Sequence, residues 1–404
     1  MRLHKNLVWA VIQGLESIVN KEEQADKAVE RILKTDKRWG ARDRGFIAST
    51  LYEMVRYRRL YESLAEVKAP YKRSDCFRLF GVWATLRGHA LPEWPELQGT
   101  PVRRIKGRYE EARKSRVLRE SFPDWLDQRC VEELGEKRWE AESAALNKEA
   151  DLLLRTNTLK GNRQDLIALL KEEQIEAKAL PKIAEAVLLP KRANVFRLNA
   201  FKEGRFEVQD ANSQRVAHWV NPRPGEKVID ACAGAGGKSL HLAALMENKG
   251  QLIGLDIFPA KLKELKRRCR RAGVHNLETR LLDSSKVVKK LKGSADKVLI
   301  DAPCSGLGVL KRNPDTKWKL DPDFLKKIQE RQQEILQQYS SWVKTGGELT
   351  YATCSILPSE NEKQVELFLK SETGKGFKLL KQETLFPSET GFDGFFLAKL
   401  LKES

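Results

Sequence analysis

The stretch Asp296-Lys-Val-Leu-Ile-Asp-Ala-Pro-Cys-Ser-Gly306 decides which fold the larger part of this chain predicts. Its apolar part, Val298-Leu-Ile300, is typical of a buried strand in a parallel sheet. Ligands of open α/β sheets bind beyond the carboxyl ends of the strands, so Asp301 and Cys304 are expected to face a crevice. A second apolar strand, Glu348-Leu-Thr-Tyr-Ala352, ends in the same way, in Thr353-Cys-Ser355. Two thiols at neighbouring strand ends indicate a cysteine-based reaction.

Strands and helices alternate on both sides of this stretch, from about Val216 onward. The predicted elements are strands at 227–230, 251–256 and 278–283, helices after the first two, and a long helix at 324–343 between the two cysteine-tipped strands. Alternation of this kind predicts an α/β fold with a doubly wound parallel sheet.

The N-terminal part of the chain has a different texture. Apolar residues recur at helical spacing over residues 1–145, which predicts an all-helical domain. Residues 146–215 combine short apolar strands with one helix and predict a small α+β insert. The remainder, 216–404, forms the sheet domain.

The charge of the chain favours a polyanionic partner. Lys+Arg 74 against Asp+Glu 56 gives a net charge of +18 and a pI near 9.5, and nucleic acid is the leading candidate. A soluble basic protein is the alternative. Two basic runs fit either RNA contact or a solvated helix face. They are Arg103, Arg104, Lys106, Arg108, Arg113, Lys114, Arg116 and Arg119, and Lys261, Lys263, Lys266, Arg267, Arg268, Arg270 and Arg271.

Cysteines and histidines give no sign of a disulfide framework or a metal centre. The six cysteines and five histidines are scattered, without ligand spacing for zinc and without a recognisable catalytic arrangement. No apolar run approaches the roughly 20 residues that span a bilayer. We therefore expect a cytoplasmic protein with no metal and no membrane contact.

A glycine-rich turn after the first strand, Ala231-Cys-Ala-Gly-Ala-Gly-Gly-Lys-Ser239, predicts a nucleotide site. It fails the dinucleotide pattern at the last glycine, and it misses the P-loop pattern only because Cys232 replaces the first glycine. Asp256, which ends the second strand, is placed to bind a ribose, and Asp283 lies near the adenine side. Each aspartate alone also fits a helix N-cap. Together they favour S-adenosylmethionine, whose positive sulfonium suits carboxylates better than a P-loop lysine.

These stretches resemble the RNA (cytosine-5) methyltransferases of the bacterial ribosomal-RNA group, relatives of the NOP2/Sun proteins. The matching segments are 209–214, 230–238, 301–308, 312–315, 351–355, 360–362 and 391–397. The N-terminal third is more weakly similar to a NusB-like RNA-binding domain, through Asp43-Arg-Gly-Phe46. One departure is that Gly234-Ala235 replaces the usual Ala-Pro, and without the fixed proline φ we expect a looser turn.

The resemblance implies a Rossmann-like class I methyltransferase sheet and a 5-methylcytosine activity on RNA. It assigns nucleophilic attack on carbon 6 to Cys354, product release to Cys304, and binding of the cytosine N3 edge to Asp301. The implied cofactor is S-adenosylmethionine, and Lys238 with the cofactor's charge would activate Cys354. The predicted cofactor-binding residues are Cys232, Ala233, Gly234, Ala235, Gly236, Gly237, Lys238, Asp256, Asp283 and Asp301.

The expected partner is ribosomal RNA, with the small subunit favoured and the enzyme acting as a monomer. Because the target base must leave its stack, single-stranded or loop RNA is expected, with Arg312, Lys317 and Lys319 contacting phosphates. Three other readings stay open: a P-loop NTPase, a non-catalytic RNA-binding assembly factor, and a DNA cytosine methyltransferase with Cys304 as nucleophile.

Overall fold

The computed structural model of the chain describes residues 3–404, apart from the side chain of residue 285. The chain divides into two compact units. The helical unit comprises the described residues up to Lys148 together with Leu310–Asp321, and the catalytic unit comprises Glu149–Val309 and Pro322–Ser404.

The helical unit contains no strand among its described residues. Its helices are α1 (Lys5–Asn20), α2 (Ala25–Leu33), α3 (Ala41–Arg56), α4 (Arg58–Ala65), α5 (Arg73–Leu86), α6 (Val102–Ala112), α7 (Arg116–Arg119), α8 (Asp124–Leu134), α9 (Glu136–Leu146) and, from the later segment, α16 (Thr316–Lys319). The all-helical N-terminal character predicted from the apolar spacing is therefore what the structure has.

The core of this unit is built from apolar helix faces. Val8, Val11 and Ile12 on α1 are fully buried. Burial of each such side chain contributes about 1.5–3 kcal/mol, which is the main stabilisation that an amphipathic helix gains from packing. Most described residues of the chain lie in helices or strands. None of the described helices is long and apolar enough to cross a membrane.

The segment Leu310–Asp321 joins the helical unit through backbone contacts. Arg56 donates to the carbonyl of Lys311 at 3.0 Å, and the indole of Trp318 donates to the carbonyl of Val55 at 2.7 Å. A stretch that lies between two strands of the sheet along the chain thus packs as part of the other unit.

The catalytic unit alternates strands and helices. Its elements are β1 (Leu152–Thr156), α10 (Arg163–Glu172), β2 (Lys178–Ala179), β3 (Ala186–Leu189), α11 (Asn199–Lys202), β4 (Phe206–Val208), α12 (Ala211–Val220), β5 (Lys227–Asp230), α13 (Gly237–Leu245), β6 (Gln251–Asp256), α14 (Pro259–Ala272), β7 (Leu277–Leu281), α15 (Ser285–Leu291), β8 (Ala295–Asp301), α17 (Pro322–Tyr339), β9 (Val343–Thr353), α18 (Glu362–Lys370), β10 (Phe377–Leu385), α19 (Pro387–Thr390) and β11 (Phe395–Lys402).

A seven-stranded sheet organises this unit, in the order β10-β11-β9-β8-β5-β6-β7. The pairs from β9 to β7 are parallel, whereas β11 runs antiparallel to both of its neighbours. The strand order reverses at β5 and β8, and ligands of open α/β sheets bind beyond the carboxyl ends of the strands at such a reversal. The predicted doubly wound α/β sheet is confirmed, with an antiparallel strand near one edge that the alternation did not reveal.

A second, four-stranded antiparallel sheet has the order β2-β3-β1-β4. Its core is formed by Leu154, Val187 and Phe206 from three strands and by Leu166 and Leu170 from α10. α10 begins at the capping residue Asn162, whose side chain accepts from the backbone of Asp165 at 3.0 Å. Residues 146–215 therefore have both helix and strand, as the sequence predicts.

Candidate active site

The two predicted thiols meet at the carboxyl ends of β8 and β9. The strands are parallel neighbours with Asp301 opposite Ala352, so the loops that follow them leave the sheet side by side. Cys304 and Cys354 place their sulfur atoms 3.3 Å apart, and both side chains are partly accessible to solvent. The structure thus brings together the residues that the two strand ends predicted.

A buried carboxylate holds the two cysteine loops at this separation. Glu360 accepts from the backbone N–H of Ser305 at 2.8 Å and from the hydroxyl of Ser355 at 3.0 Å, so it bridges the residue after each cysteine. Burial raises the pKa of Glu360, against the lowering effect of these hydrogen bonds. The backbone N–H of Gly308 adds a further tie by donating to the carbonyl of Cys354 at 2.9 Å.

The neighbouring Asn361 fixes the end of β9. It accepts from the Thr353 hydroxyl at 2.5 Å and donates to the Ser355 carbonyl at 3.0 Å, so it clamps the residues on both sides of Cys354. Glu360 and Asn361 belong to one of the segments that carry the family resemblance, but no role could be assigned to them from the sequence. Their structural role is to position the thiols.

Lys238 and Asp301 form an ion pair beside the sulfur atoms. Lys238 Nζ lies 2.6 Å from Asp301 Oδ2 and 5.3 Å from the centre of the Phe395 ring. Burial by itself lowers the pKa of Lys238. The charge and hydrogen bond of Asp301, together with negative charge on Cys354 and Asp230, more than offset that effect, so the pKa is raised. Lys238 is therefore a fixed positive charge coupled to Cys354.

Cys304 differs from Cys354 in its electrostatic setting. The contact with Cys354 is the largest cause that raises the pKa of Cys304 well above its ordinary value, and burial and the charge of Glu360 act in the same direction. At neutral pH Cys304 is accordingly a neutral thiol, within hydrogen-bonding distance of the sulfur of Cys354.

Asp230, at the end of β5, is a second buried acid close to the pair. Burial raises the pKa of Asp230 to about 7, and the charge of Asp301 adds to the rise. One oxygen accepts from the Ser239 hydroxyl at 2.6 Å, while Oδ1 has no hydrogen-bond partner. A carboxyl in this setting is half protonated near neutral pH.

The glycine turn forms a cradle between β5 and α13. Gly236 has a φ of 90°, and a Cβ there would lie 2.1 Å from Leu265 Cδ1, so any other residue would strain the backbone and displace the Leu265 side chain. At Gly234 and Gly237, in contrast, a Cβ would meet nothing within 4 Å. The turn therefore presents backbone to open space at the start of a helix, where the N–H groups and the helix dipole favour polar ligand atoms.

The other predicted cofactor residues occupy different settings. Ala233 is buried and donates its N–H to the carbonyl of Leu255 at 2.8 Å, while Cys232 is half-buried, and burial raises its pKa. Asp256 accepts from the N–H of Gly234 and of Phe258, both at 2.9 Å. Each of its carboxylate oxygens keeps a further lone pair for a ribose hydroxyl.

Asp283 departs from its predicted placement at a strand end. β7 ends at Leu281, so Asp283 lies two residues farther on, on an exposed part of the connection to α15. The prediction extended the strand because apolar residues continue to Leu282. The expected contact between Asp283 and the adenine of the cofactor stays a prediction.

Two arginines support the glycine turn from outside the cradle. Neither of them was assigned this role from the sequence. Arg268 donates to the carbonyl of Ala235 at 2.9 Å and pairs with Glu207 at 2.9 Å. Arg155, which is 2% exposed, donates to the carbonyl of Gly237 at 2.6 Å. The helical spacing of Arg268 and Arg271, both paired with Glu207, was a usable signal that part of the α14 basic run faces inward.

For three other basic residues the structure corrects the expected contact with RNA. Lys317 was predicted to contact phosphate, but its side chain is 1% exposed. Its ammonium lies 3.3 Å from the Glu120 carbonyl oxygen and 4.1 Å from the centre of the Phe122 ring. Burial lowers the pKa of Lys317 well below its usual value. Arg116 pairs with Asp127 at 2.8 Å and is 12% exposed, and Arg119 pairs with Glu140. Long aliphatic stems let lysine and arginine pack inside a domain, which a count of charges along the chain does not reveal.

The cradle, the carboxylates and the paired thiols fit S-adenosylmethionine. Open backbone at Gly234 and Gly237 accommodates a ligand, and Asp256 and Asp301 suit a ribose and a positive sulfonium. The P-loop reading fits less well, because the Lys238 ammonium is taken up by Asp301 rather than free for a phosphate. The seven-stranded sheet and this site together define a Rossmann-like, S-adenosylmethionine-dependent methyltransferase.

Comparison with known proteins agrees with this class. The sequence profile described as 16S rRNA methyltransferase RsmB/F matches residues 217–401, and one described as an RsmF/B-like ferredoxin-like domain matches residues 122–196. The chain is 34% identical over 298 residues to the probable ribosomal RNA small subunit methyltransferase B of a Synechocystis species, covering 70% of this chain and 67% of the relative. It is 31% identical to the corresponding protein of Pectobacterium carotovorum, covering 79% and 76%.

Among solved structures, the protein PH0851 aligns over all of both chains with a TM-score of 0.84 and 25% identity. The chain belongs to the RsmB/F family of methyltransferases. It is an S-adenosylmethionine-dependent RNA methyltransferase, and the readings as a P-loop NTPase and as a non-catalytic assembly factor are set aside.

Proposed function

We propose that this enzyme methylates carbon 5 of cytosine in ribosomal RNA of the small subunit, through a covalent cysteine adduct. The observation that carries the proposal is the pair of sulfur atoms, 3.3 Å apart, beside the Lys238–Asp301 ion pair. The relatives named above as small-subunit methyltransferases support the choice of RNA.

Cys354 is the nucleophile. Its thiolate forms a bond to carbon 6 of the cytosine, and the electron pair of the 5,6 double bond moves toward carbon 5 and N3, where Asp301 holds the base edge. Bound S-adenosylmethionine supplies a methyl group on a positively charged sulfur. Lys238 stabilises negative charge at Cys354 and keeps Asp301 in place, because it is within 2.6 Å of that carboxylate.

Cys304 acts in the second half of the reaction. The contact with Cys354 is the largest cause of the raised pKa of Cys304, and negative charge on Cys354 adds to it; that charge is gone once the sulfur bonds to carbon 6. Adduct formation therefore makes Cys304 easier to deprotonate. Having released its own proton to solvent, Cys304 takes the proton from carbon 5; the double bond re-forms, and the bond from sulfur to carbon 6 breaks.

Three segments of the chain divide the work in this proposal. Residues 1–145 act as a NusB-like RNA-binding domain, residues 146–215 as a linking and clamping subdomain, and residues 216–404 as the methyltransferase domain. Exposed Arg103, Arg104 and Lys106 on α6 give the helical unit a basic surface for phosphates. The enzyme acts as a monomer in the cytoplasm, which suits its six free cysteines.

The test is methyl transfer from labelled S-adenosylmethionine to small ribosomal subunits from cells that lack this gene. We expect label in 5-methylcytosine of the small-subunit RNA with the unaltered enzyme and with Cys269→Ala, a matched cysteine on α14 outside the site. Cys354→Ala is expected to transfer none. Label on another base, or on large-subunit RNA alone, would contradict the proposal.

A further inference from the structure

A cluster of one glutamate and two histidines lies on three separate elements of the catalytic unit. Glu185 directly precedes β3, His218 lies on α12, and His241 lies on α13. Glu185 Oε2 is 2.8 Å from His218 Nε2 and 3.9 Å from His241 Nε2. One possible ligand atom from each residue lies within 4.8 Å of the others, so the three side chains converge on one point.

The cluster is held in place before any ligand arrives. The carbonyl of Glu185 accepts from the backbone N–H of Thr156 at 2.8 Å and from its hydroxyl at 2.9 Å, which ties the glutamate to β1. His218 packs edge-on against His241, with ring centres 5.1 Å apart. The side chains of Glu185 and His241 are 8% and 1% exposed, whereas that of His218 is 39% exposed, so solvent reaches the cluster from one side.

His241 has an unmet requirement for a partner. Neither of its ring nitrogens makes a hydrogen bond, although the side chain is buried and Nε2 points toward a carboxylate. A buried polar atom without a partner costs about 1–3 kcal/mol, so such atoms call for an explanation. A cation placed between the carboxylate oxygen and the imidazole nitrogen would satisfy Nε2 and the carboxylate together.

We propose that Glu185, His218 and His241 bind a divalent first-row transition-metal cation, of which Zn²⁺ is the representative. Two imidazoles and a carboxylate are donors that such cations prefer, and water from the exposed side completes a tetrahedral set. Ligand atoms about 2.0–2.1 Å from a tetrahedral zinc are about 3.4 Å from one another, and the observed 2.8 and 3.9 Å lie on either side of that spacing.

The site is structural in this proposal. It joins the residue before β3 to α12 and α13, and α13 begins at Gly237, the last glycine of the cofactor turn. A metal there stiffens the helix that presents the cradle. The sequence predicted no metal, because the three ligands are 33 and 23 positions apart and have no recognisable spacing.

The experiment uses the full-length, untagged protein after removal of metals with a chelator. Calorimetric titration with Zn²⁺ should show one cation bound per chain, and Zn²⁺ should raise the melting temperature. His218→Ala, at the most exposed of the three positions, should weaken zinc binding at least tenfold. His275→Ala, an exposed histidine elsewhere in the catalytic unit, is the matched control and should bind zinc as the unaltered protein does.

A second variant guards against a misfolded result. Glu185→Gln keeps the shape of the side chain but removes its charge, and it should also lose at least tenfold in zinc affinity. With zinc, amide hydrogen exchange should slow in α13 and around residue 185. Equal zinc affinity in all these proteins, or a loss in His275→Ala as large as in His218→Ala, would overturn the proposal.

Discussion

Cys304 and Cys354 carry the same chemical group, yet their surroundings give them different parts to play. Cys304 is half-buried, in contact with the sulfur of Cys354 and near Glu360, and these surroundings raise its pKa and keep it protonated. Cys354 lies close enough to Lys238 for the two charges to interact. The sequence predicted that both thiols reach one pocket, but the raised pKa of Cys304 depends on burial and on distances that only the folded chain fixes.

The buried acid Asp230 gives a prediction about pH. Its pKa of about 7 in the folded chain exceeds the unfolded value of about 3.9. The folded protein therefore binds this proton more tightly, and stability falls as the pH rises between those two values and levels off above 7. From pH 5 to pH 8 we expect the loss to be about 3 kcal/mol from this group, and Asp230→Asn should remove it.

Urea unfolding at pH 5, 6, 7 and 8 measures this contribution. Asp323→Asn, an exposed residue in the first turn of α17, is the control and should keep the pH dependence of the unaltered protein. If Asp230→Asn and the unaltered protein lose stability in parallel over this range, the raised pKa is wrong.

At the scale of elements, the glycine turn shows how a local change is offset by long-range contacts. The family's usual Ala-Pro is replaced by Gly234-Ala235, which predicts a looser turn. In the structure, however, Arg268 on α14 holds the carbonyl of Ala235, and Arg155 on β1 holds that of Gly237. These contacts join residues that are 33 and 82 positions apart, which is why inspection of the turn alone missed them.

Arg268→Met should therefore raise KM for S-adenosylmethionine about tenfold, since a charge-assisted hydrogen bond contributes about 1.5–3 kcal/mol and 1.4 kcal/mol is a factor of ten. Arg267→Met is the matched control: it is the adjacent residue of α14, but it is exposed and pairs with Glu264. Steady-state kinetics at saturating RNA measures the effect. Equal KM values for the two variants would show that Arg268 does not support the turn.

Local sequence patterns predicted the positions of the strands more accurately than the residues at which the strands end. The strands at 227–230 and 251–256 are where the apolar runs predicted them. β7, in contrast, stops before Asp283, and the last predicted strand, 348–352, is the end of a longer strand, Val343–Thr353. Strand ends depend on pairing with a neighbour, so β9 extends as far as β8 and β11 provide partners.

At the scale of the whole molecule, the net charge of +18 is distributed unevenly between paired and exposed side chains. Within the helical unit Lys317 is buried and Arg116 is half-buried in its ion pair with Asp127, while Arg103 and Lys106 are exposed on α6. Charge counts along the sequence cannot separate these groups, because the fold decides which basic side chains are covered or paired. The location of Leu310–Asp321 within the helical unit had no sequence signal for the same reason.

Exposed charge on α6 leads to a prediction about RNA affinity. The double variant Arg103→Glu and Lys106→Glu should bind RNA at least tenfold more weakly and with a shallower dependence on salt, because each phosphate contact releases counterions. A control of equal charge change is Lys21→Glu with Lys27→Glu, also exposed in the helical unit. Filter binding at several salt concentrations measures both, and equal losses in the two doubles would show that net charge alone matters.

The covalent adduct is the most direct test of the account as a whole. Cys304→Ala and Cys354→Ala are each incubated with S-adenosylmethionine and small-subunit RNA, and protein–RNA complexes that survive denaturing electrophoresis are counted. We predict that Cys304→Ala accumulates such a complex, since attack proceeds but release is blocked, whereas Cys354→Ala forms none. A stable complex with Cys354→Ala, or equal residual turnover in both variants, would contradict the roles assigned to the two sulfur atoms.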